Sequence, residues 1–314
     1  MNVGSQVFNW LATIYPLEGW VIPFGAAVLL CSWLHVAERL FPAERNQSYR
    51  SMIVTNGRIS LVYWLLSPVV TVGAQFFAGY AVTRLASRLH APWLSIDLNK
   101  VASIHSDLIR YGMLLLISFL PLLAYDFFYY WFHRLQHASS WLWEQHKLHH
   151  SDEDLNVTTT FRHNWLEEFF KAFLIAVPIL LVLGIHPVQV GITTSFARAI
   201  TIVWTLLLHS NVGISWGVLT PVISGPQYHR IHHSIEPRHR DKNFSSFFPI
   251  WDLLFGTYYR PSNKEFPRTG VAGEPSDPTI CELLVGPILS WSNRLFKSCQ
   301  TTERSRSDVR QPRT

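Results

Sequence analysis

Long apolar stretches separated by short polar segments run along most of this chain of 314 residues. Five of the stretches reach the length of about 20 residues that a helix needs to cross a lipid bilayer. The pattern therefore predicts an all-α, multi-span membrane protein with about four to five transmembrane helices. The predicted spans are residues 19–40, 59–82, 111–132, 166–185 and 187–208.

The fourth and fifth spans are separated by a very short segment that contains Gly184, His186 and Pro187. Glycine and proline favour tight turns. We therefore expect these two helices to be antiparallel and joined by a hairpin turn.

The composition agrees with a membrane protein. Hydrophobic residues make up 48% of the chain and charged residues only 15%, whereas soluble domains carry roughly 25% charged residues. The first 18 residues contain no Lys or Arg, so we expect no cleavable signal peptide and membrane targeting by the first span. The three cysteines, at 31, 281 and 299, are too dispersed for a disulfide framework or a cysteine-based metal site.

The basic residues predict an orientation in the membrane. The arginines at 39, 45, 50 and 58 lie at the end of the first span and in the short segment after it, and the positive-inside rule places this loop in the cytoplasm. The third span then returns to the cytoplasm at His133, and the hairpin delivers His209 to the same side. Segments 133–165 and 209–314 are thus expected on the cytoplasmic face of a bacterial inner membrane or the endoplasmic reticulum. Because much of the net charge of +5 flanks these spans, we expect no nucleic-acid partner.

Ten of the 15 histidines lie in two windows, 133–163 and 209–233. The first pair has the spacing HxxxH, and residues four apart lie on one face of a helix, so both imidazoles can bind one metal ion. Two further motifs have the pattern HxxHH, and two single histidines accompany them. The candidate metal ligands are His133, His137, His146, His149, His150, His163, His209, His229, His232 and His233.

This number of imidazoles exceeds the four ligands of one zinc ion. It suits two first-row metal ions that each keep a position open for O2 or substrate. The motifs contain neither the Glu-x-x-His of soluble di-iron bundles nor the HExxH of zinc hydrolases. The spacing therefore predicts a two-metal site where the spans end. His35, His90, His105 and His186 are interpreted as structural or solvated, and His239, in a basic loop, is interpreted as solvated.

Two sequence segments resemble the fatty acid hydroxylase superfamily, which includes the sterol desaturases and sterol methyl oxidases. The first is DFFYYWFHR at 126–134, which is followed by HxxHH, and the second is HRIHH at 229–233 with DKNF at 241–244 and WDLLFGTY at 251–258. The resemblance covers about residues 110–260. It leaves N-terminal membrane spans (1–109) and a C-terminal extension (261–314) outside a fatty acid hydroxylase-like catalytic domain (110–260). The last residues, 301–314, contain no apolar residue except Val309 and are predicted to form a disordered basic tail.

The resemblance implies a helical membrane domain with a cytosolic, histidine-rich cap that holds two non-haem iron ions. It implies nine of the ten candidates as ligands, and His163 also matches a family position. Two positions depart from the family pattern. Gly213 replaces the second histidine of an HxxxH motif in some members, and Ser245 stands where many members have glycine.

The resemblance also implies an O2-dependent oxidoreductase that hydroxylates or desaturates a lipid. Sterols, fatty acyl or sphingoid chains, ether lipids and amino-acid-containing lipids such as ornithine lipids are all compatible substrates. The chain has no GxGxxG motif and no cysteine set for an iron–sulfur cluster. We therefore expect a separate electron donor, either cytochrome b5 or a ferredoxin with its reductase.

A different class of function is a histidine-rich membrane metal transporter or metal-binding protein. Such a protein would place ionisable residues at mid-membrane depth along several spans. The predicted spans contain few such residues apart from Asp126, which favours the oxygenase.

Asp126 lies seven residues before His133, on the same helical face. Two interpretations are open. It could accept the second ring proton of a ligand histidine, or it could pair with an N–H group or a tyrosine inside the helix bundle.

Overall fold

A computed structural model describes residues 18–45, 47, 49–97, 100–101, 103–185 and 200–309. This part of the chain is mostly helical, with two short strands. Its long helices are α1 (Glu18–Leu40), α2 (Tyr49–Leu89), α3 (Asp107–Ala138) and α10 (Ile280–Val309). Its shorter helices are α4 (Ser140–His150), α5 (Glu167–Lys171), α6 (Val177–Val182), α7 (Ile200–His209), α8 (Pro226–His232) and α9 (Ile250–Phe255).

Two of the described helices are long and apolar enough to cross a membrane, namely Ile53–Leu89 within α2 and the whole of α3. Only 17% and 12% of their most apolar windows are buried inside the protein. The outward-facing side chains are large and apolar, such as Leu65, Val69 and Leu116. A lipid environment accommodates such a surface, whereas soluble monomers rarely expose large apolar patches. The number of four to five spans stays a prediction.

The fourth predicted span differs from the structure. α5 continues through a π-helical turn (Ala172–Ala176) into α6, and the chain then enters strand β2 (Leu183–Ile185). β2 pairs in parallel with β1 (Leu94–Ile96). The predicted turn residue Gly184 thus lies in a strand, opposite Ser95, while His186 and Pro187 lie outside the described residues.

The cause of this difference is a partner distant in sequence. The apolar run from 166 to 185 has no feature that distinguishes its last three residues, but β1 offers them backbone hydrogen bonds. The remaining helical run, 167–182, is about 24 Å long at the rise of an α-helix. This is shorter than the roughly 30 Å hydrocarbon core of a bilayer.

The C-terminal segment also differs from the sequence prediction. Helix α10 reaches Val309, although residues 301–314 were predicted to form a disordered tail. No proline or glycine lies between 288 and 309 to end the helix. The helix therefore continues from its apolar part into the polar segment.

A sharp turn at Ser139 positions the first histidines. Ser139 ends α3, and its hydroxyl oxygen accepts the N–H of Leu142 at 3.4 Å, which caps α4. The turn brings the end of α3 against α4. Leu34 of α1 and Leu206 of α7 share a buried apolar cluster with Val157, so α7 is packed close to this region.

Candidate metal centre

Nine histidines converge in two adjacent groups. Within each group, one ring nitrogen from each histidine lies within 4.8 Å of the corresponding nitrogens of the others. The first histidine group consists of His133, His137, His146, His150 and His232, and the second of His149, His209, His229 and His233.

The two HxxHH motifs divide their ligands in the same way. In α4, His146 and His150 are four residues apart and join the first group, whereas His149 joins the second. In α8, the pair four residues apart joins the second group, and His232 joins the first. Because each residue rotates the helix by about 100°, such a pair shares one face and the third histidine points aside. Each motif therefore contributes to both groups.

Backbone carbonyl oxygens fix the tautomers of four imidazoles. A carbonyl oxygen only accepts hydrogen bonds, so the facing Nδ1 carries the hydrogen and Nε2 holds the lone pair. Nε2 is thus the atom available to a metal in these four rings. The Nδ1 contacts are His133 to Phe244 O (2.9 Å), His149 to Arg162 O (3.3 Å), His209 to Thr205 O (2.8 Å) and His232 to Lys242 O (2.8 Å).

The arrangement of Nε2 atoms fits metal ions. Nε2 of His149 lies 3.0 Å from Nε2 of His209, and neither atom has a hydrogen to donate, so the two lone pairs repel unless they share a cation. Nε2 of His150 lies 3.2 Å from the Nε2 atoms of three other histidines, although one N–H can serve only one of them. Nε2 of His133 is buried and has no hydrogen-bond partner among the described residues. Hydrogen bonds alone do not account for these contacts.

Burial keeps the histidines of α4 and α8 neutral. It lowers the pKa of His146 to about 4. It also lowers the pKa of His229 and His233 well below the usual 6.5, and the neighbouring imidazoles lower both further. Neutral imidazole is the form that binds a metal.

His163 belongs to neither group, but its ring stacks on that of His149 with centroids 4.4 Å apart and an angle of 10° between the planes. Its Nδ1 lies 3.0 Å from a carboxylate oxygen of Glu167. The tenth candidate therefore borders the second group. Its ring is oriented by an acidic residue that the sequence did not single out.

Asp126 does not contact a histidine. It is buried, and its carboxylate accepts the backbone N–H groups of Ser246, Phe247 and Phe248 at 2.8–3.0 Å. The structure therefore favours the second interpretation, a pairing with N–H groups. Asp126 therefore acts on the centre only indirectly. It holds residues 246–248, and Phe244, two residues before them, orients His133 through its carbonyl oxygen.

Two further buried acids support the centre and were missed in the sequence. The carboxylate of Asp252 accepts the N–H groups of Phe244 and Ser245 at 2.8 Å. Glu38 of α1 accepts the N–H groups of Val157 and Asn211 at 2.7 Å. Both residues are acidic and lie within apolar segments of the sequence, and this pattern could have identified them. Burial of an acidic side chain costs free energy unless the side chain is paired.

The prediction that His239 is solvated was wrong. His239 is fully buried, with Nδ1 2.8 Å from the hydroxyl of Ser234 and Nε2 3.2 Å from Glu265. His90 and His105 are exposed, as expected. His35 lies 3.4 Å from Glu38, and His186 lies outside the described residues.

A cavity of about 460 Å³ opens onto the first histidine group at His137, His150 and His232. Its walls come from the junction of α3 and α4, the segment after α8, and the loop at 270–272. They combine apolar side chains with charged ones. The apolar lining includes Trp143, Ile235 and Val271, and the charged lining is Glu236, Arg240 and Asp241.

Known proteins resemble the part of the chain that holds these histidines. The family model for fatty acid hydroxylase matches residues 118–257. Alkylglycerol monooxygenase of Xenopus tropicalis is 31% identical over 145 residues, which are 46% of this chain and 31% of that protein. Ornithine lipid hydroxylase OlsE of Rhizobium tropici is 33% identical over 166 residues, which are 52% of this chain and 48% of that protein.

Lathosterol oxidase of Homo sapiens is 27% identical over 186 residues, which are 55% of this chain and 59% of that protein. The chain thus spans less than two thirds of the length of each of these relatives. No solved structure is significantly similar to it.

Proposed function

The chain belongs to the fatty acid hydroxylase superfamily through residues 118–257, and we propose that it is a membrane-bound, O2-dependent oxidoreductase that hydroxylates or desaturates a lipid. The observation that carries this proposal is the pair of histidine groups. Each group offers four or five neutral imidazoles at one buried site, which suits two non-haem iron ions.

The proposed ligands are the nine histidines of the two groups together with His163. Bound iron would supply the activation of O2 for attack on an unactivated C–H bond. The chain's own part is to aim Nε2 atoms through the carbonyl contacts at Nδ1 and to exclude water by burial. We propose His163 as a tenth ligand because Glu167 binds its Nδ1, so that Nε2 carries the lone pair, and because its ring stacks on that of His149 in the second group.

The cavity supports an amphiphilic substrate. It reaches the first histidine group, and its lining offers apolar surface as well as Glu236, Arg240 and Asp241. A lipid could place its apolar part against the apolar side chains and a polar end near the three charged ones. The relatives named above act, by their names, on an alkylglycerol, an ornithine lipid and a sterol.

The cap that carries the histidines is proposed to lie on the cytoplasmic face of the membrane. His133 and His137 lie in the last turns of the apolar helix α3, so the metal centre would lie near the bilayer surface. A lipid could reach it from the membrane. A separate donor, cytochrome b5 or a ferredoxin with its reductase, would supply the electrons.

Lipid mass spectrometry tests this function. Purified protein loaded with iron and reduced is incubated with isotopically labelled O2 and mixed lipids that include ether lipids, ornithine lipids and sterols. We expect a lipid that gains one labelled oxygen atom or loses two hydrogen atoms, and no change with His150→Ala. Metal uptake into vesicles without lipid oxidation would instead identify a transporter.

A further inference from the structure

Glu167, at the start of α5, is a buried acidic residue, with only 1% of its surface exposed. It lies beside the metal centre, on an element that contributes no histidine to either group. A buried carboxylate is costly unless its charge is matched. Its contacts therefore indicate its role.

One oxygen of this carboxylate faces imidazoles from both sides of the centre. Oε2 lies 3.0 Å from Nδ1 of His163 and 3.9 Å from Nδ1 of His146. His146 belongs to the first group, and His163 stacks on His149 of the second. Nδ1 of His146 has no hydrogen-bond partner within the described part of the chain, and 3.9 Å is an ion-pair distance, too long for a hydrogen bond.

The other oxygen is held by a cation. Oε1 lies 2.9 Å from Nζ of Lys171, one helical turn further along. Lys171 also contacts Glu168 Oε1 at 3.1 Å, which accepts the hydroxyl of Tyr63 at 2.8 Å. This network balances the charge of Glu167 and fixes the direction of its free oxygen.

We infer that Glu167 is a positioning residue for both metal groups, an inference that rests on the proposed function. Its carboxylate fixes the hydrogen on Nδ1 of His163, so that Nε2 of this ring carries the lone pair, as carbonyl oxygens do for four other rings. Its negative charge also faces Nδ1 of His146 at 3.9 Å and attracts a hydrogen on that atom. Because this partner is charged, it attracts a ring N–H more strongly than a neutral carbonyl oxygen does. One side chain thereby couples the two metal sites.

Glu168 provides a matched control. It is the next residue and shares the ion pair with Lys171, but it contacts Lys171 and Tyr63 and, among the described residues, no histidine. Glu167→Gln and Glu168→Gln each remove one carboxylate from the same network. Only the first removes the carboxylate that faces the imidazoles.

The test measures iron affinity by competition with a chelator and the thermal stability of the metal-free protein. We expect Glu167→Gln to lower iron affinity by about 10–100-fold, the usual effect of removing a partner of a ligand histidine. The Mössbauer spectrum of the iron that remains should change. Glu168→Gln should keep wild-type affinity, and the two metal-free variants should melt at similar temperatures.

Wild-type affinity in Glu167→Gln would overturn the inference, and so would an equal loss in Glu168→Gln. If Glu167→Gln does not fold because Lys171 is left unpaired, the double variant Glu167→Gln with Lys171→Met removes the whole ion pair. That variant should fold and still lose affinity, and full affinity there also contradicts the inference. Failure of the wild-type protein to bind two irons would instead contradict the proposed function.

Discussion

Single hydrogen bonds decide which ring nitrogen of a histidine is available at this centre. Carbonyl oxygens of Phe244, Lys242, Arg162 and Thr205 each bind an Nδ1. Lys242 and Phe244 lie in the DKNF segment and Thr205 lies one helical turn before His209, but the spacing of the histidines does not reveal these contacts. At the scale of residues, the sequence supplies the imidazoles and the fold supplies their direction.

His150 is the most connected ligand, since its Nε2 lies 3.2 Å from three others. We expect His150→Ala to reduce bound iron from two ions per chain towards one and to abolish lipid oxidation. His239→Gln is the control, because His239 is buried but lies outside both groups. Equal iron loss in both variants, measured by elemental analysis, would argue against the proposed ligand set.

Asp126 anchors the loop at 246–248 through three backbone N–H groups. Asp126→Asn replaces a charged acceptor, and hydrogen bonds to charged groups are worth about 1.5–3 kcal/mol each. We expect the free energy of unfolding to fall by about 3 kcal/mol, because the amide retains part of the bonding. Denaturation of the metal-free protein in detergent measures this change.

Asp107→Asn serves as the control for that experiment, since Asp107 is an exposed acid on the same helix. It should leave the stability nearly unchanged. Identical stability of Asp126→Asn and Asp107→Asn would show that the three hydrogen bonds do not hold the loop.

At the scale of elements, the apolar pattern predicted helices α1, α2 and α3 well, but it missed α10 and the short strand β2. α2 and α3 contain the predicted spans because long apolar runs have few alternatives. The strand at 183–185 was missed because its partner lies about 90 residues earlier. The HxxHH spacing predicted two metals, but the division of each motif between them follows from helix packing that the spacing alone does not reveal.

The loop at 270–272 closes one side of the cavity over the first histidine group. Val271→Trp should fill part of this space and lower lipid oxidation at least about tenfold, while the iron content stays at the wild-type value. The control is Val218→Trp, because Val218 is exposed and does not line the cavity. Unchanged kinetics in Val271→Trp would exclude the cavity as the substrate site.

At the scale of the whole molecule, the centre depends on segments outside the family match. Glu38 comes from α1, and Lys147 of α4 pairs with Glu274, which follows the matched region. Helix α1 therefore binds the segments next to the histidines and also contributes apolar surface. Residues on either side of the predicted boundaries at 109 and 260 thus contact each other, and the division into three segments stays a prediction.

The proposed topology places the cap and the loop after α2 on opposite sides of the membrane. Cysteines introduced as Ser262→Cys and Ser103→Cys test this with an impermeant maleimide. In a background without native cysteines, Ser262→Cys should react only from the cytoplasmic side and Ser103→Cys only from the other side. Labelling of both from the same side would contradict the orientation.

The number of iron ions per chain tests the two-metal centre most directly. Metal-free protein is reloaded with Fe(II) without O2, freed of loosely bound metal and measured by elemental analysis against protein concentration. We expect two irons per chain, one for each histidine group. One iron per chain, or none retained, would contradict it.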